Sequence, residues 1–76
     1  MELKVFIKMF AEQFEDTELS EFSAETHFRD LEEWSSLTGL AILNVISKKC
    51  NVILTPEELR NCNSVQEVYE LIKSKQ

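Results

Sequence analysis

One glycine, Gly39, and one proline, Pro56, punctuate the entire chain of 76 residues. Long stretches therefore run without either of the residues that most readily break a helix. With 43% apolar residues besides, the composition is that of an ordered helical chain and not of a linker or a disordered tail. A chain of this length is expected to form one domain over residues 1–76.

Fourteen acidic and eight basic side chains leave a net charge of −6. That balance argues against a nucleic-acid partner, which requires Lys and Arg to displace counterions from phosphates. The longest apolar run, Leu40 to Leu43, falls far short of the roughly 20 residues that cross a bilayer. Lys4 and Lys8 interrupt the only N-terminal apolar stretch, so no secretory signal is read there. The expectation is a cytoplasmic protein without a membrane span. Size also weighs against an autonomous enzyme. A domain below about 80 residues rarely gains more than about 3–5 kcal/mol net from its core, and a dry catalytic pocket would draw on that core. Cys50 and Cys62 form no C-x-x-C pair and have no clustered His or Cys partners. No metal site follows, and two buried or half-buried thiols are expected, with a disulfide or a reactive thiol as the alternatives.

Helical periodicity opens the chain. Leu3, Phe6, Ile7, Phe10 and Phe14 stack on one face, while Glu2, Lys4, Lys8, Glu12 and Gln13 take the other, which predicts a first helix over Glu2–Glu15. From Asp16 to Ser35 no regular element is predicted, and Leu19, Phe22, Phe28, Leu31 and Trp34 read as anchors pinning a long connection across a bundle. His27 lies among them without partners for catalysis or ligation and is expected to be an exposed or hydrogen-bonded loop residue.

A second helix is predicted over Ser36–Asn51, capped by Ser35. Leu37, Leu40, Ala41, Ile42, Leu43, Val45 and Ile46 cover more than one of its faces. Such a helix is either central or shares its surplus face with a partner. Leu37 and Leu40 are the candidates for partner contact, and Ile42, Leu43 and Ile46 for the interior. Gly39 permits close approach by a neighbour. Thr55-Pro56-Glu57-Glu58 starts a short third helix with a cap, a first-turn proline and a capping box. Ser64 and Glu67 start the last helix, with Val65, Val68, Tyr69 and Ile72 inward and Lys73 and Lys75 at its C-terminal dipole. The fold class is all-α: four helices, a long first loop and a short third helix.

The segment Phe28-Arg29-Asp30-Leu31-Glu32-Glu33-Trp34-Ser35-Ser36-Leu37 resembles the prosthetic-group attachment region of acyl carrier proteins. There an aspartate-serine-leucine triplet opens the second helix. The resemblance extends through Thr55-Pro56-Glu57-Glu58-Leu59 and Ser64-Val65-Gln66-Glu67-Val68. It implies a four-helix bundle of that type, with no catalytic residues and a covalent 4′-phosphopantetheine arm on Ser36, donated from coenzyme A. The arm's thiol carries acyl groups as thioesters. Implied partners are a phosphopantetheinyl transferase and the enzymes that load and transfer acyl groups, met by a monomer. A phosphodiester on Ser36 suits the start of a helix, where free N–H groups favour negative charge. Fatty acyl, polyketide, aminoacyl and D-alanyl cargo all stay open.

Two departures accompany the resemblance. Ser35 stands where the family has aspartate, which leaves two adjacent serines; the register from Leu37 favours Ser36 over Ser35. The second helix also lacks the usual acidic residues, which sit instead at Glu32-Glu33 and Glu57-Glu58 and are expected to steer dedicated partner enzymes. The absent aspartate supports one alternative, a carrier-like interaction module without the prosthetic group. A serine hydrolase built on Ser36 lacks the G-x-S-x-G elbow and has one histidine to draw on.

Overall fold

In the computed structural model, which describes residues 1–76, four α-helices follow one another: α1 (Leu3–Ala11), α2 (Ser36–Cys50), α3 (Pro56–Arg60) and α4 (Val65–Lys75). There is no strand. Between α1 and α2 the chain makes two short 3-10 turns, Leu19–Glu21 and Phe28–Asp30. Helix α1 packs on α4, and α2 on α3. No helix is long and apolar enough to cross a membrane.

Helix α1 buries Phe6 and Phe10, as the stripe predicts, together with Met9 and Ala11, which lie outside that stripe, and it stops four residues early. The N–H groups of Gln13 and Phe14 turn back to the carbonyls of Phe10 and Ala11, tightening the last turn as helix ends commonly do. The next three N–H groups, of Glu15, Asp16 and Thr17, all donate to the Glu33 carboxylate. A side chain from the far end of the loop thus takes the donors that a longer helix would use. Phe14 remains in the core from just beyond the helix.

The long connection is held by its aromatic residues and its backbone. Phe28 is wholly buried, Phe22 nearly so, and Leu31 and Trp34 pack against the core half-buried. Leu19, expected as an anchor, is 51% exposed. It lies in the first 3-10 turn with no buried residue, and Phe22 closes that turn into the core instead. At the other end, the carbonyls of Ala24 and Thr26 accept from the N–H groups of Gln66 and Val65. Two of the donors that α4 cannot satisfy within itself therefore find partners in the loop.

These contacts run as a continuous aromatic chain. Tyr69 of α4 meets Phe6 at 5.4 Å, Phe6 meets Phe10 at 6.0 Å, Phe10 meets Phe28 edge-on at 5.2 Å, and Phe28 meets Trp34 edge-on at 5.1 Å. Each such pair contributes about 0.5–1.5 kcal/mol beyond the area it buries. The chain ends at the residue that precedes the two serines. Trp34 is thereby fixed from α1 and α4, across the whole width of the bundle.

Helix α2 buries Gly39, Ile42, Ile46 and Cys50, with Leu43 half-buried against the core. It ends at Cys50 because Asn51 turns left-handed, φ 56°, a conformation asparagine tolerates better than most residues. The capping box of Thr55 and Glu58 opens α3 with both hydrogen bonds in place. Ser64 caps α4 by accepting from the Glu67 N–H at 3.2 Å. Val65, Val68 and Ile72 are buried, and Tyr69, half-buried, donates through its hydroxyl to the Met1 carbonyl at 2.6 Å.

Candidate functional site

Two adjacent serines stand at the start of α2 and do different things. Ser35 has extended backbone, φ −155° and ψ 171°, the conformation of an N-cap. Its hydroxyl accepts from the Thr38 N–H at 3.3 Å and lies 3.2 Å from the Thr38 hydroxyl, which donates to the Glu33 carbonyl. Ser36 is the first helical residue and is exposed. Its hydroxyl makes no hydrogen bond within the protein, and the N–H groups of Ser36 and Leu37 likewise have no acceptor there. One serine closes the helix; its neighbour is left free.

Beside Ser36 lies a groove of about 410 Å³ between α2 and α3. Trp34, Gly39, Leu40 and Leu43 line one side of it, and Pro56, Leu59 and Arg60 come from α3. The neighbour admitted by the bare backbone of Gly39 is Trp34. A methyl group placed on Gly39 would stand 3.4 Å from Cη2 and 3.5 Å from Cζ2 of the indole. Leu37 and Leu40, the candidates for partner contact, are 78% and 58% exposed.

Ile53, 79% exposed, was not singled out in the sequence. Its signal is the run Val52-Ile53-Leu54. In an extended connection successive side chains alternate, and Val52 and Leu54 point inward.

The four glutamates expected to steer partners divide in two. Glu32 and Glu57 are exposed and make no hydrogen bond or ion pair through their side chains. Glu33 is committed inward: its carboxylate accepts from Thr17 Oγ1 at 2.7 Å as well as from the three N–H groups at the end of α1. Desolvation raises its pKa. The hydroxyl of Thr17 and the N–H groups of Asp16, Glu15 and Thr17 together outweigh that and hold it below the usual carboxylate value. Glu58 completes its capping box and pairs with Lys75 at 2.8 Å. The Lys75 hydrogen bond first, then the Thr55 N–H, lower its pKa against the desolvation.

His27 is exposed, with Asp30 at 3.9 Å, and lies apart from the groove. Cys50 and Cys62 are both buried and free. Desolvation pushes both thiols up; the N-terminal ammonium partly offsets this at Cys50, and Glu67 adds to it at Cys62. Thiols so placed stay protonated and are poor nucleophiles. No group of three or more His, Cys, Asp or Glu side chains is arranged to hold a metal ion.

An exposed, unbonded hydroxyl at a helix start, with free N–H groups beside it and an apolar groove alongside, fits a bulky group joined through a phosphate. A family model described as the phosphopantetheine attachment site matches residues 4–72, and the chain belongs to that family. Its cofactor is accordingly 4′-phosphopantetheine, covalently attached, and the protein is a carrier. No curated protein and no solved structure matches the chain.

Proposed function

We propose that this carrier holds acyl groups as thioesters on a 4′-phosphopantetheine arm attached to Ser36 and presents them to a succession of partner enzymes. When attached, the arm supplies the thiol on which the acyl group rides. The single observation that carries the reading is the contrast between the two serines: Ser35 is engaged as the cap, whereas Ser36 offers a free, exposed hydroxyl at the mouth of the groove. The chain's own tasks are to expose that oxygen to a phosphopantetheinyl transferase, to receive a phosphate beside the free N–H groups of Ser36 and Leu37, and to offer Leu37 and Leu40 to partners. Glu32 and Glu57 carry the outward-facing acidic charge available for steering, while Glu33 and Glu58 are held by the fold.

The test is intact mass after incubation with coenzyme A and a broad-specificity transferase. Wild type is expected to gain one phosphopantetheine and Ser36→Ala none. An unmodified wild type would overturn the reading. Gain on Ser36→Ala but not on Ser35→Ala would move the attachment to Ser35.

The alternative, an interaction module without the arm, draws on Ser35 in place of the family's aspartate. A partner retained equally by wild type and Ser36→Ala, with the cell's own copy unmodified, would favour it. The expected result instead is that Ser35→Asp speeds modification, because it restores the carboxylate while keeping a capping acceptor.

A further inference from the structure

We propose that Arg60 holds the phosphodiester of the arm attached at Ser36, so that the arm leaves its serine over the α3 side of the groove. This rests on the attachment proposed above. The chain has two arginines, Arg29 and Arg60, and both meet at the end of α3 with different duties. Arg29 lies over the Phe28 ring and donates to the Arg60 carbonyl and, at 2.7 Å, to the side chain of Asn63. It ties down the backbone that carries Arg60. The Arg60 side chain itself has neither an ion-pair partner nor a hydrogen bond, and it lines the same groove as Ser36.

In a protein of net charge −6, the only charged residue lining the groove is a cation, the exposed Arg60, which can meet an anion there. Its remaining walls are largely apolar, with Trp34, Leu40, Leu43 and Leu59 among them. Charges interact more strongly beside such low-dielectric walls than in open water. A guanidinium matches two phosphate oxygens at once, and it is more weakly hydrated than an ammonium, so it gives up less water to do so. A carboxylate on the cargo shares this chemistry. The phosphodiester is preferred because it stands at Ser36 whatever the cargo, without the arm having to fold back.

The arginine side-chain Nε–H signals of the whole protein, one for each of two residues, provide the readout, assigned through Arg60→Lys. Conversion from unmodified to phosphopantetheinylated protein is expected to shift the Arg60 signal and leave that of Arg29 in place. Raising the ionic strength to about 1 M, where the Debye length falls to about 3 Å, is expected to return it toward its unmodified position. In Arg60→Gln, the phosphorus resonance of the arm is expected to move from its wild-type position and lose its salt dependence. An Arg60 signal unchanged by modification would overturn the proposal. So would a shift that arises only after loading with a carboxylate-bearing acyl group. If the arm never attaches to Ser36, the failure lies with the proposed function and is seen first, by mass.

Discussion

Single residues at this site carry separable duties. Gly39 costs α2 about 1 kcal/mol of helix propensity relative to alanine, and the indole of Trp34 lies against it. At 3.4 Å to Cη2 an added methyl group makes ordinary contact and no more. Gly39→Ala is therefore expected to stabilise the domain by up to about 1 kcal/mol, a rise in Tm of about 4–8 °C in calorimetry. Gly39→Leu is expected to lower Tm by displacing the indole. Glu33 makes a prediction in pH. Its folded pKa lies below the usual 4.5, so the unfolded chain binds the proton first. The stabilisation is then fully present above about that value and is lost as pH falls through the lower, folded one. Glu33→Gln should accordingly reduce the acid-induced fall in Tm between neutral pH and the acid side of that window. An unchanged fall would show that other carboxylates dominate.

Among the elements, the helix starts were the most legible part of the sequence because their signals are local. Thr55 and Glu58, Ser64 and Glu67, and Ser35 with the Thr38 N–H each act within one turn. The end of α1 was not legible, since what stops it is a carboxylate from 16 to 18 residues away. Nor could the groove be read, because it exists only once α3 lies against α2 and brings Arg60 to the same opening as Ser36. The exposure of Ser36 at the start of α2 follows from its place just inside the Ser35 cap. Those two serines give the prediction proper to an element. Ser35→Ala removes the cap of α2 and should cost about 1 kcal/mol. Ser36→Ala removes a hydroxyl with no partner and should fall within about 0.5 kcal/mol of wild type. Chemical denaturation of both variants checks the pair; equal losses would contradict the division of labour between them.

For the whole molecule, the aromatic chain from Tyr69 to Trp34 is the feature that joins helices, loop and site. Phe10 is its centre, wholly buried and touching Phe6, Phe14, Phe22 and Phe28. Replacing such a residue by alanine costs about 3–5 kcal/mol, comparable with the net stability of about 3–5 kcal/mol that a core of this size supplies. Phe10→Ala is thus expected to lose its cooperative thermal transition, monitored by far-ultraviolet circular dichroism. The same chain has a second consequence at its far end. Trp34 is the sole tryptophan of the protein, and its indole forms part of the groove wall next to Ser36. Whatever enters that groove must exchange water for contact with the one fluorophore that dominates the emission spectrum. The protein therefore carries its own optical gauge of whether that groove is filled or open, readable in solution without a label.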